Sequence, residues 1–202
     1  MSTSISLGWD CGPAIFGVKE GMRVTKEHGY KTCPFDLMNS NYDGVVECIR
    51  DDFKYFCDPQ YLKLITLPHN YFKILGYHAG DKIIVNTKYN FIFNHESPGH
   101  GNLYLHENWK DGPFTYCQNN FEEFIVRYQN RINHFREYIN SGTHIFFIVA
   151  KVNCAGTNEQ LNNAIIETYK SCNFTIYEME EDRHVIYNEC MEFMNTNFYC
   201  NI

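Results

Sequence analysis

The chain has 202 residues, enough for one domain with a sizeable hydrophobic core. Its 24 acidic and 17 basic residues leave a net charge of −7 without any Lys/Arg cluster, which argues against nucleic acid or a membrane surface as a partner. The nine cysteines include no Cys-x-x-Cys pair and the first residues lack the features of a signal peptide, so we expect a cytoplasmic protein with reduced thiols.

Two helices and one strand are predicted in the first third of the chain. The apolar run Ile5–Leu7 predicts a short buried strand. A helix over about 13–28 should follow; it begins at a proline, which the first helical turn tolerates. Apolar residues at helical spacing predict a second helix over about 44–56, with Asp43 as its N-cap. The stretch 60–80 has no regular period and is expected to be irregular.

The middle of the chain predicts two short strands and a long loop. Ile83–Val85 and Phe91–Phe93 are apolar runs of strand length. Residues 96–112 are rich in Gly, His, Asn and Pro and show little periodicity, which predicts a loop. Long loops in compact domains are often functional, so this region is a candidate for part of a site.

The long helix predicted over 120–140 is the clearest element of the sequence. Phe124, Tyr128 and Phe135 belong to one apolar stripe at helical spacing. Asn120, followed three residues later by Glu123, resembles a capping box at its start.

A strand, a helix and a further strand follow with short links. They are predicted at Ile145–Val149, at 158–171 with Thr157 as a cap, and at Phe174–Glu178. This succession is typical of a βαβ crossover, which joins parallel strands. We therefore predict an α/β fold, a three-layer α/β/α sandwich with a mainly parallel sheet. Because no linker or repeat interrupts the chain, residues 1–202 are expected to form a single domain.

Cys11 is the first candidate functional residue. It follows the glycine turn at Gly8 and precedes the helix predicted to begin at Pro13. Unpaired backbone N–H groups and the helix dipole favour an anion at such a position, and a thiolate is an anion. This placement can create a nucleophile. The alternative is a packing role, because cysteine is among the most buried residue types.

Several motifs follow one another in a recognisable order. The specific ones are Ser6-Leu7-Gly8-x-x-Cys11-x-x-Ala14 and Pro34-Phe35-Asp36. They are followed by Phe93-Asn94-His95-Glu96 and, in the long helix, Arg127-Tyr128-x-x-Arg131. This pattern, over about residues 4–178, resembles the family DUF1796, which is described as papain-like cysteine peptidases. Its members occur in bacteria and in large DNA viruses, and a viral member would act in the host cytoplasm.

The resemblance implies three catalytic residues for acyl transfer. Cys11 would be the nucleophile, His95 the base and Asp36 the polar group that orients the imidazole. In the family the histidine is followed by an acid, usually aspartate, where this chain has Glu96; Asn94 stands where a second histidine is common. The substrate would be an unidentified peptide, acyl compound or small molecule, and no cofactor is implied. A papain-like architecture would be α+β, the alternative to the α/β sandwich.

Other interpretations of the same residues remain open. Asp36 can cap a turn, and His95 can be an ordinary hydrogen-bonded histidine at a strand end. His95, His100 and His106 invite a zinc site, although their spacing is not specific for one. The turn after the first strand can also hold a phosphate, as in a nucleotide-binding or nucleotide-sugar transferase-like domain. An inactive interaction module is a third class.

Overall fold

The computed structural model describes residues 2–67, 78–100, 103–151 and 158–180. These residues form an α/β fold with one parallel and one antiparallel sheet of three strands each. The parallel sheet contains β1 (Ser2–Ser6), β5 (His144–Lys151) and β6 (Phe174–Glu180), and the antiparallel sheet contains β2 (Leu62–Thr66), β3 (Lys82–Asn86) and β4 (Phe91–Phe93). The helices are α1 (Gly12–Lys19), α2 (Tyr42–Arg50), α3 (Leu103–His106), α4 (Glu122–Asn140) and α5 (Asn158–Thr168).

The parallel sheet lies between helices, in the order β1-β5-β6. Helix α1 packs on one face, where Gly17 approaches so closely that a Cβ there would lie 2.4 Å from Ser4 Oγ and 3.1 Å from Ile148 Cδ1. On the opposite face Phe147 contacts Phe135 of α4, with ring centroids 6.0 Å apart. Strands β5 and β6 pair in parallel and α5 connects them. The predicted βαβ unit and the α/β class are therefore confirmed.

The antiparallel sheet was only partly predicted. Strands β3 and β4 correspond to the two predicted apolar runs, but β2 lies in the stretch expected to be irregular. Its alternation is weak, since Leu62 is buried while the rest of the strand is partly or fully exposed, and pairing with β3 determines its conformation. Apolar side chains of both sheets join one buried cluster. That residues 1–202 form a single domain stays a prediction.

Helix α1 is shorter than predicted. It ends at Lys19, whereas the sequence suggested a helix to residue 28. Gly21 follows with a φ of +67°, and the N–H groups of Met22 and Arg23 both donate to the carbonyl of Gly17, at 2.9 and 3.1 Å. A glycine of positive φ, followed by N–H groups that donate back to a carbonyl of the last helical turn, is a common helix C-cap.

Two predicted helix starts are wrong. Helix α2 is capped by Asn41, whose Oδ1 accepts from Gly44 N–H at 2.7 Å, and Asp43 lies within the first turn. Helix α4 begins at Glu122 because Asn120 and Phe121 have left-handed backbone angles, so the predicted capping box does not form.

Other predicted elements differ from the structure or lie outside its described part. Helix α2 ends at Arg50, earlier than predicted. Thr157, the predicted cap of α5, lies outside the described residues. The predicted loop 96–112 includes the short helix α3. In the part of the chain that the structure describes, no helix combines the length and apolar character that crossing a membrane requires.

Candidate active site

Cys11 occupies the N-cap of α1, directly after the turn that follows β1. Gly8 makes this turn with a φ of +95°, and a Cβ there would lie 1.9 Å from the buried Ser40 Oγ. Asp10 Oδ1 accepts a hydrogen bond from Gly12 N–H at 2.7 Å, and Cys11 O accepts from Ile15 N–H at 3.0 Å. The Cys11 side chain is partly exposed. The turn therefore holds the thiol at the start of a helix, where the sequence placed it.

The same turn restricts which backbone groups can stabilise an oxyanion. Gly12 N–H is occupied by the Asp10 carboxylate, and Pro13 has no N–H to donate. Two of the first three amides of α1 therefore cannot serve. The start of the helix offers fewer donors than the sequence suggested.

His95 lies on a 3-10 helix, Asn94–Glu96, that begins where β4 ends. Its partly buried ring meets the ring of His100 edge-on, with centroids 4.6 Å apart. Burial is the largest cause that lowers the pKa of His95 to about 4, and the neighbouring His100 acts in the same direction. At neutral pH the imidazole is therefore uncharged, and its low pKa makes it a weak proton acceptor.

Cys11, Asp36 and His95 line one cavity of about 660 Å³. Most of the remaining wall comes from α1 and from the segment that follows it. Three residues that are far apart in the sequence thus reach the same space. Their catalytic roles remain predictions, since sharing a cavity does not assign a function.

Asp36 is engaged in a structural network. Its carboxylate accepts from Cys33 N–H at 2.7 Å, from the Tyr30 hydroxyl at 3.0 Å and from Arg23 Nη1 at 2.8 Å. The Arg23 and Asp36 side chains are only 7% and 3% exposed. Within the described residues no hydrogen bond joins Asp36 to His95. This arrangement supports the capping interpretation, since Asp36 fixes the 3-10 helix Pro34–Leu37.

Glu96 anchors the segment that carries His95. Its side chain is fully buried and accepts from Arg127 Nε at 2.9 Å and from the Tyr128 hydroxyl at 2.9 Å. Arg131 Nη1 lies 3.1 Å from the same carboxylate. Burial, followed by the Glu96 charge, raises the pKa of Tyr128 well above its usual value and keeps its hydroxyl protonated as a donor. All three partners come from α4, which therefore fixes the position of the 3-10 helix.

The spacing of two arginines in the sequence is a local signal for this anchor. Arg127 and Arg131 are one helical turn apart, and like charges at this spacing destabilise a helix. A buried anion between them removes that repulsion. The contacts of Arg23 and Tyr30 with Asp36 have no comparable signal in the sequence, because only the tertiary fold brings these loop segments together.

The loop histidines do not form a recognisable metal centre. His95 and His100 are in ring contact. Across residues 2–67, 78–100, 103–151 and 158–180, however, no group of three or more His, Cys, Asp or Glu side chains is arranged to hold a metal ion.

Comparison with known proteins places the chain in a family. A model of the family described as "Putative papain-like cysteine peptidase (DUF1796)" matches residues 2–182 of the 202. The chain belongs to this family. Searches of curated proteins and of solved structures find no match. The match covers both sheets, the cavity and all three predicted site residues, so membership extends to the part of the molecule where the candidate site lies.

Proposed function

We propose that this protein is a cysteine hydrolase that cleaves a peptide or related acyl bond, with Cys11 as nucleophile and His95 as base. The observation that carries the proposal is the shared cavity, to which the start of α1 brings a thiol and the 3-10 helix Asn94–Glu96 brings a partly buried, neutral imidazole. The family membership supports the same kind of chemistry.

In this mechanism Cys11 forms the covalent bond to the substrate and His95 transfers the protons. His95 accepts the thiol proton as Cys11 Sγ attacks the substrate carbonyl, and the imidazolium then protonates the leaving group. The acyl group remains on sulfur until water, activated by the same imidazole, releases it as a carboxylic acid. The lowered pKa of His95 leaves the ring unprotonated at neutral pH but also makes it a weak base, so its uptake of the thiol proton has to be coupled to the attack on the substrate.

We do not propose that Asp36 orients His95. Its oxygens are held by Arg23, Tyr30 and Cys33. The position of His95 is instead fixed through Glu96, the next residue of the same 3-10 helix, by its bonds to α4. We infer that Asp36 shapes the cavity wall and that Glu96 positions the base.

Alkylation by iodoacetamide tests the proposal. Each thiol is mapped by mass spectrometry after labelling between pH 5 and pH 8. Cys117 and Cys172 are matched controls, since both are also partly exposed and burial raises the pKa of each to about 11. We expect Cys11 to react well below pH 8 while the two controls do not. His95→Gln should slow this reaction at least tenfold, because general-base assistance typically contributes more than that.

Two results would count against the assignment. One is a Cys11 that reacts no faster than Cys117 and Cys172. The other is a His95→Gln protein, folded as judged by circular dichroism, in which Cys11 reacts at the wild-type rate.

A further inference from the structure

The cavity beside Cys11 has an apolar wall that is open to solvent. Ala14, Ile15 and Val18 of α1 line it, together with Val24 and Leu37. Ile15 is 61% exposed and Val24 is 54% exposed, so large apolar side chains border the opening. Apolar surface of this kind in a cavity favours an apolar ligand group.

The charged side chains of the same cavity are mainly basic. Lys19, Arg23 and Lys26 line it, and among the described lining residues Asp36 is the sole carboxylate. Asp36 is paired with Arg23 at 2.8 Å, so no acid of the wall balances the two lysines; outside the wall, Glu27 interacts with Lys26 and leaves Lys19 as the stronger positive charge. The buried Nε–H of Arg23 also has no acceptor among the described residues. In a chain with a net charge of −7, this local positive charge favours an anionic ligand.

Helix α1 sets the distance between the nucleophile and the basic end. Cys11, Ile15 and Lys19 are successive members of one helix face, because residues four apart lie above one another. Eight residues at 1.5 Å each place the ends of this face about 12 Å apart. An extended peptide covers that distance with about three to four residues, at 3.3–3.6 Å per residue.

We propose that the cavity selects peptide substrates with apolar residues next to the scissile bond and a carboxylate about three residues away from it. This inference rests on the proposed function, because it takes Cys11 as the point of cleavage. The apolar residues would contact Ile15, Val18 and Val24, and the carboxylate would lie near Lys19 and Lys26. The substrate is therefore an acidic, partly apolar peptide.

Two reactive peptides of equal shape test the preference. Iodoacetyl-Val-Leu-Asp-amide and iodoacetyl-Val-Leu-Asn-amide differ only in one negative charge. In either case the Cys11 sulfur forms a bond to the methylene carbon, iodide leaves, and the thiol proton passes to His95 or water. We expect Cys11 to react about three- to tenfold faster with the Asp peptide, since ion pairs with exposed lysines are weak. The advantage should shrink in concentrated salt.

A charge-matched pair of variants assigns the preference to the cavity. Lys19→Gln/Lys26→Gln should bring the ratio of the two rates to about one. Lys63→Gln/Lys170→Gln lowers the net charge equally, at exposed lysines outside the cavity wall, and should keep the wild-type ratio. A reversed peptide, iodoacetyl-Asp-Leu-Val-amide, places the acid next to the reacting carbon and should show no such advantage over its Asn analogue.

The outcomes separate the inference from the proposed function. Equal rates for the Asp and Asn peptides, with Cys11 labelled in a His95-dependent way, overturn the substrate preference and leave the hydrolase proposal standing. An unreactive Cys11 overturns the hydrolase proposal. In that case calorimetry with acetyl-Val-Leu-Asp-amide and its Asn analogue decides the preference alone. Tighter, lysine-dependent binding of the Asp peptide supports it, and equal binding overturns it.

Discussion

Replacing His95 by glutamine should remove a pH-dependent loss of stability. Burial, reinforced by His100, lowers the pKa of His95 to about 4 in the folded protein, whereas an unfolded chain has the ordinary value of about 6.5. As the pH falls through this window, the unfolded chain binds a proton that the folded state does not bind. The contribution of His95 is therefore fully present above pH 6.5 and is lost toward pH 4.

The size of the effect follows from the two pKa values. Proton linkage with pKa values of about 6.5 and about 4 lowers the free energy of unfolding by about 2 kcal/mol at pH 5 and about 3 kcal/mol at pH 4, relative to pH 8. Urea unfolding of the wild type and of His95→Gln at these three pH values gives the difference between them. Groups other than His95 titrate in both proteins, so their contributions cancel in this difference. The free energy of unfolding of the wild type minus that of His95→Gln should therefore fall by these amounts from pH 8 to pH 5 and to pH 4.

A second variant checks the cause. His100→Gln removes the second contribution to the low pKa of His95 and opens its surroundings to water, so the pH-dependent part of the His95 effect should become smaller in this background. If the wild type and His95→Gln differ by the same free energy at pH 8 and pH 4, the proposed burial of the imidazole is refuted.

Three further substitutions have expected effects on stability, all measured by urea unfolding at pH 7. Glu96→Gln leaves the buried Arg131 and the partly exposed Arg127 without their anion and should cost about 3–5 kcal/mol, whereas Glu107→Gln breaks a more exposed pair and should cost below about 1 kcal/mol. Asp36→Asn breaks an ion pair whose side chains are 7% and 3% exposed and should also cost about 3–5 kcal/mol. Gly8→Ala should cost about 1–3 kcal/mol more than Gly29→Ala, since both glycines have positive φ but only Gly8 has a neighbour, Ser40 Oγ, in the space of the new Cβ.

Each of these has a clear contrary result. Equal losses for Glu96→Gln and Glu107→Gln would mean that the buried carboxylate does not anchor the 3-10 helix. A loss below about 1 kcal/mol for Asp36→Asn is the value for a surface pair and would contradict its burial. Equal losses of unfolding free energy for Gly8→Ala and Gly29→Ala would show that the turn before Cys11 can accommodate a Cβ atom.

The fold class was predictable because its evidence is local. The apolar run Ile145–Val149, the amphipathic helix after it and the strand that follows have periods that can be read from neighbouring residues. Helix ends were less predictable. Phe121, with a φ of +66°, replaces the expected capping geometry at the start of α4, and packing of the aromatic side chains into the core opposes the local preference.

The candidate site divides in the same way. The sequence by itself determined that Cys11 follows a strand-to-helix turn, because Gly8 and Pro13 are local signals with local consequences. Only the tertiary structure decided which side chains share its cavity. It bound Asp36 to Arg23 and Tyr30, and it fixed His95 through the buried contacts of Glu96 with α4. Those contacts join residues that are distant in the chain, and the buried charges require partners whose identity depends on how the whole chain packs.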